Sequence, residues 1–155
     1  MRRLLAAVAA SALMLGAAVP AWAAGRVPGG VTNVTIAISF PLKGGPGYHR
    51  PVRRTLSRRA AVAEVVQATD ALPAARRHGV CPMIMRLGPE LSVTFRNSSG
   101  TQLAVATVDV AYGSRGDSGA SFCFPIRYMS AGGSADLLGN GWVRFMGRLT
   151  GTTIS

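Results

Sequence analysis

Two histidines, His49 and His78, and six carboxylates, Glu64, Asp70, Glu90, Asp109, Asp117 and Asp136, are the groups in this chain able to move protons near neutral pH. Enzymatic acid–base or nucleophilic chemistry needs such a group held against a nucleophile and a site for developing charge. Both histidines lie in arginine-rich stretches, and His78 follows Arg76 and Arg77, whose charges oppose its protonation. The chain contains no G-x-S-x-G and no H-E-x-x-H pattern. Gly44-Gly45-Pro46-Gly47 lacks the Lys-Ser/Thr ending of a phosphate loop. Paired carboxylates are the one hydrolytic arrangement the spacing leaves open. No His or carboxylate stands at ligand spacing around the cysteines, so no metal site is read. The expectation is a non-catalytic protein without cofactor or metal.

The N-terminus carries an address. Met1-Arg2-Arg3 is followed by an apolar run over residues 4–19 and then by Pro20-Ala21-Trp22-Ala23. A short basic region, an apolar stretch too short to span a bilayer and a small-x-small ending make a cleavable signal peptide over residues 1–23. Arg2-Arg3 also leaves a twin-arginine export route open. Cleavage after Ala23 leaves about 132 residues, the size of one domain. No later segment is long and apolar enough for a membrane helix, and the expected location is extracellular.

In an oxidising compartment, Cys81 and Cys123, the two cysteines of the chain, most simply form a single disulfide. Closing that loop stabilises the fold by about 4 kcal/mol in the chain-entropy model. Two buried thiols are the competing reading.

The charge balance is strongly basic, with 17 Lys and Arg against 6 Asp and Glu. Removing Arg2 and Arg3 leaves 15 against 6, a net charge of +9 for residues 24–155. Sixteen of the 17 cations are arginine, a bias in keeping with a GC-rich genome. The densest run, Arg50, Arg53, Arg54, Arg58 and Arg59, reads either as a solvated cationic face or as a surface for an anionic envelope polymer. Tyr48 is its one stacking partner, and an exported protein seldom meets nucleic acid, so none is expected as a partner.

The elements that must position these groups follow from periodicity. Residues 24–30 form a Pro/Gly-rich flexible leader ahead of a single domain over 31–155. Thr32, Val34, Ile36, Ile38 and Phe40 alternate with smaller or polar residues, the pattern of a half-buried strand that Pro41 stops. Val62, Val65, Val66, Thr69 and Leu72 share one helical face, with Ser57 as N-cap and Pro73 as terminator. Leu91, Val93 and Phe95 alternate again. Asn97-Ser98-Ser99-Gly100 is a hairpin turn, and residues 102–110 form the returning strand. Residues 122–128 read as a further strand carrying Cys123. Leu138, Trp142, Phe145 and Leu149 have helical spacing, although Gly139, Gly141 and Gly147 each weaken a helix by about 1 kcal/mol. The fold class is α+β: an antiparallel β-sheet with one or two packed α-helices and a single disulfide.

Asn33-Val34-Thr35 and Asn97-Ser98-Ser99 match glycosylation sequons, and Arg115-Gly116-Asp117 matches an adhesion tripeptide. The sequons carry little weight in a protein whose composition points to a bacterial source, and chance produces the tripeptide easily in a chain this rich in Arg and Gly.

Ordered along the chain, Val31-Thr32-Asn33-Val34-Thr35, Ala71-Leu72-Pro73, Cys81-Pro82, Leu91-Ser92-Val93-Thr94-Phe95, Cys123 and a Trp-containing C-terminal segment resemble small secreted proteins and lipoproteins of actinobacteria with no assigned activity. That resemblance implies an extracytoplasmic α+β domain. Val80-Cys81-Pro82-Met83-Ile84 is, more locally, similar to the reactive loop of the secreted subtilisin inhibitors of Streptomyces. The similarity implies a substrate-like loop in which Met83 fills the primary pocket of an extracellular serine protease. Met83-Ile84 would be the scissile bond, Val80 would fill a secondary pocket, and Cys81 would tether the loop to Cys123. The chain departs from those inhibitors in lacking a second, upstream disulfide and in carrying Arg86-Leu87-Gly88-Pro89 where they have Asp-Pro. The bland reading of the same residues is a strand entry, with Met83 and Met85 covering the core.

Overall fold

A computed structural model describes residues 25–40, 50–75, 88–112, 118–119 and 123–154. Strands β1 (Asn33–Ser39) and β2 (Val52–Leu56) are followed by helix α1 (Arg59–Asp70). The hairpin β3 (Glu90–Arg96) and β4 (Gln102–Asp109) comes next, then a short pair, β5 (Ala111–Tyr112) and β6 (Ser118–Gly119). A second hairpin, β7 (Ile126–Ser130) and β8 (Gly133–Leu137), leads into α2 (Asn140–Thr150). Six strands pair in the order β2-β1-β3-β4-β7-β8, every contact antiparallel, while β5 and β6 form a separate ribbon.

Period-two alternation decides which face is buried. Val34, Ile36 and Ile38 of β1 stand opposite Phe95, Val93 and Leu91 of β3. These in turn face Ala104, Ala106 and Val108 of β4. All nine are at most 2% exposed. They share one core with Val62, Val65 and Leu72 near and along α1 and with Trp142, Val143 and Met146 of α2, so both helices cover the same face of the sheet. Burying each such aliphatic side chain contributes about 1.5–3 kcal/mol. The other face carries a row of paired positions, Thr55, Thr35, Thr94, Val105 and Met129, and is more polar.

The two helices are joined by one polar contact inside this layer. Trp142 donates its indole Nε1 to the hydroxyl of Thr69 at 3.0 Å, and that hydroxyl donates to the Val65 carbonyl at 2.8 Å. Each helix then ends on an arginine from far away in sequence. Arg26 donates to the Leu72 carbonyl at 2.9 Å just past α1, which has no basic residue in its own last turn. Arg54 of β2 donates to the Leu149 carbonyl in the last turn of α2. The last carbonyls of a helix lack intrahelical donors and carry partial negative charge, so a guanidinium satisfies both needs.

Several expectations shift. Residues 25–30, read as a flexible leader, make specific contacts: Val27 is 5% exposed and its N–H donates to Asp70 at 2.7 Å. Tyr128 donates to the Arg26 carbonyl at 2.8 Å, which ties the same segment to β7. The N-cap of α1 is Arg58 rather than Ser57, and no side chain caps it. Cys123 precedes its strand instead of lying in it, because β7 begins only at Ile126. The α+β class with an antiparallel sheet and two helices stands. Cys123 is not a free thiol, whereas Cys81 lies outside the described residues, as do the signal peptide, His49, His78, Asp117 and residues 80–84.

The glycines of α2 have separate roles. A Cβ on Gly147 would stand 2.7 Å from the Thr152 carbonyl oxygen, so the chain turning back after the helix needs a residue without one. Gly151 adopts φ 72° and closes the helix, with Thr152 N–H donating to Gly147 O at 2.9 Å.

Candidate functional site

The antiparallel hairpin brings chemistry-bearing side chains to one end of the sheet. Glu90, the first residue of β3, pairs directly with Asp109, the last residue of β4. Like charges in that relationship destabilise a sheet by some tenths of a kcal/mol. Both side chains line a cleft of about 220 Å³ together with Thr107, Cys123, Phe124 and Arg127. Arg127 pairs with Asp136 across the β7–β8 hairpin. The juxtaposition of Glu90 with Asp109 escaped the reading of the sequence, because counting back from the turn at Asn97-Ser98-Ser99-Gly100 puts Glu90 opposite Val108 and only the register shift between Phe95 and Arg96 brings it to Asp109. That turn is closed as expected: Gly100 N–H donates to Asn97 O at 3.0 Å, and the Asn97 side chain accepts from Thr101 N–H at 2.9 Å.

Two carboxylates, a guanidinium and an exposed cleft make a charged surface. Among the described residues no histidine or free thiol joins them, and no group of three or more His, Cys, Asp or Glu is placed to hold a metal ion.

The same end of the sheet anchors the segment expected to carry an inhibitory loop. Residues 76–87 lie outside the described residues; on their N-terminal side Ala75 N–H donates to Asp136 O at 2.8 Å beside the Ala74–Leu137 bridge. On their C-terminal side the Pro89 carbonyl accepts from Val110 N–H at 2.9 Å. Cys123 shares the cleft with Glu90, the residue after Pro89.

The five arginines expected to form one basic face are divided. Arg53 and Arg54 are consecutive in β2 and point to opposite sides, facing Ala37 and Ile36 respectively. Arg54 caps α2, Arg58 and Arg59 open α1, and Arg50 precedes the strand; all five are exposed. The strand itself went unread in the sequence because its charges hide the alternation. On an edge strand they also discourage pairing with another chain.

On the helix side, an apolar groove of about 710 Å³ runs between the end of α1 and the start of α2, lined by Leu72, Pro73, Leu138, Trp142 and Phe145. A second groove, of about 490 Å³, separates Val27, Pro28 and Val31 from Val62 and Val66 of α1. Burial raises the pKa of the Tyr128 hydroxyl above the ordinary tyrosine value. Asp70 adds to that rise, while a hydrogen bond with Ser130 and the charge of Arg26 oppose it.

Comparison with protein-family models, with curated proteins and with solved structures gives no match for the chain. Among the described residues no helix is long and apolar enough to cross a membrane.

Proposed function

We propose that the protein is a secreted, non-catalytic α+β domain that inhibits a subtilisin-type serine protease with a substrate-like loop, residues 80–84. Met83 is the specificity residue, Met83-Ile84 occupies the position of the scissile bond, and a Cys81–Cys123 disulfide staples the loop to the sheet. The observation that carries this reading is the meeting of Cys123 with the start of β3 in one cleft. A tether from Cys123 would act on the segment just before that strand, from the bend that leads into β7. Cys123 not being a free thiol agrees with the tether.

The physical logic is preorganisation. Pro82 holds φ near −65°, and the disulfide restricts the loop before docking, so less conformational entropy is lost on binding. An unbranched apolar Met suits a hydrophobic primary pocket. Rigidity also keeps the two sides of a cut bond together, which lets resynthesis compete with release. Residues 1–23 supply the export route such a function requires.

Titration of oxidised residues 24–155 against a subtilisin-type protease tests the proposal. Stoichiometric inhibition that disappears in Met83→Gly is the expected result. Rapid proteolysis of the domain, or no inhibition, refutes it.

A further inference from the structure

The described carboxylates leave one side of the molecule to cations. Glu90 and Asp109 sit at the far end of the β3–β4 hairpin, Asp136 is on β8, and Asp70, at the end of α1, binds the Val27 N–H. At the β2 edge, where α1 begins and α2 ends, the charges are arginines. Arg54 holds the Leu149 carbonyl and so fastens the last turn of α2 to the edge strand. Arg58 and Arg59 start α1 within three residues of Leu56, the end of the same strand. Arg144 and Arg148 are exposed one turn apart on α2. Glu64 is the carboxylate closest in sequence, in the second turn of α1, and among the described residues no carboxylate pairs with any of these five arginines.

Packing does not explain this arrangement. Arg144 and Arg148 repel each other as i, i+4 neighbours, a repulsion that the partial negative charge at the end of α2 and the Phe145 ring beneath Arg148 offset in part. We propose that Arg54, Arg58, Arg59, Arg144 and Arg148 form a docking surface for a linear, phosphate-bearing polymer. The guanidinium fork matches phosphate oxygens in pairs, and an array along a strand edge and two helix ends suits repeated charges on a chain. A lipid bilayer fits less well. The exposed large apolar side chain among the described residues, Met129, belongs to the opposite face of the sheet, and the half-buried Phe145 and Leu149 beside the arginines pack against the core instead of standing out to enter a membrane. Nor is the ring of Phe145, between Arg144 and Arg148, bare for a nucleic-acid base, because Arg148 lies over it at 5.8 Å from the ring centroid. The surface differs from the arginine run in the sequence: Arg53 turns to the other face, and α2 contributes two cations that the run does not contain. It is also independent of residues 80–84, so it stands or falls apart from protease inhibition.

Binding of residues 24–155 to long-chain inorganic polyphosphate, measured over a series of salt concentrations, tests the proposal. R144Q/R148Q is compared with R96Q/R127Q, which removes the same charge from the open sheet face, and circular dichroism checks that each variant folds. The expected result is about a tenfold loss of affinity in R144Q/R148Q. Its slope of log affinity against log salt should fall by about 1.4, the value for two lost phosphate contacts on a single-stranded polyanion. R96Q/R127Q should bind nearly as the unmodified domain does. Equal losses in both variants overturn the surface in favour of undirected charge attraction. Binding to phosphatidylglycerol vesicles without binding to polyphosphate overturns it in favour of a lipid surface.

Discussion

The indole N–H of Trp142 and the hydroxyl of Thr69 meet at 3.0 Å in a part of the core where neither residue is more than 3% exposed. The contact joins α2 to α1, and the same hydroxyl donates onward to Val65 O. Replacing Thr69 by Val keeps the shape but leaves a buried indole donor without an acceptor, at a cost of about 1–3 kcal/mol. Trp142→Phe removes the donor instead, at the cost of lost volume. A double-mutant cycle by urea denaturation should give a coupling of at least about 0.5 kcal/mol; additive effects would show that the hydrogen bond does not contribute.

Gly147 and Gly141 lie in the same helix and should respond to alanine with opposite signs. A Cβ at Gly141 meets nothing within 4 Å, so Gly141→Ala should stabilise by about 0.5–1 kcal/mol through helix propensity. At Gly147 the new methyl would press on the Thr152 carbonyl oxygen and on Ile154, and Gly147→Ala should destabilise by about 1–3 kcal/mol. Thermal midpoints of the two variants shifting in the same direction would contradict the packing of residues 152–154 on α2.

Arg26 ties the first described segment to the end of α1. Arg26→Gln should cost about 1–3 kcal/mol, the range for a charged group bonded to a helix carbonyl. Deleting residues 24–30 should cost more, because Val27 leaves the core as well. Denaturant midpoints unchanged by either alteration would mean that the segment is dispensable.

The buried hydroxyl of Tyr128 makes stability fall in alkali. Its folded-state pKa lies above the unfolded value of about 10, so the native state keeps a proton that the unfolded chain has already released. The stability contributed is full below about pH 10 and is lost as pH rises through the raised folded value. Tyr128→Phe should be less stable near neutrality, having lost its bond to Arg26 O, but should show a flatter decline above about pH 10. Equal alkaline slopes in the two proteins would exclude Tyr128 as the cause.

The parts of the fold legible in the sequence are those set by neighbours along the chain. β1, β3, β4 and the turn between them follow from alternation and from Asn97 and Gly100, and α1 follows from Val62, Val65, Thr69 and Leu72 spaced around one helical face. α2 also showed its period, although its glycines argued against a helix. Gly147 is needed because a chain segment folds back onto it, and local propensity holds no record of that contact.

What only the tertiary structure decided depends on partners far apart in sequence. The sheet order required β1 to find β3 across β2 and α1, and β4 to find β7 across β5 and β6. The arginines needed distant partners as well: Arg26 and Arg54 look like any other cations until two helix ends are placed beside them, and Arg53 separates from Arg54 only because β2 is a strand. Glu90 meets Asp109 through the hairpin register. The sequence by itself determined which residues are apolar, where the chain turns and how much positive charge it carries. Long-range pairing decided which charges are used to hold the fold and which remain for a partner, because a guanidinium's role is set by the group it faces.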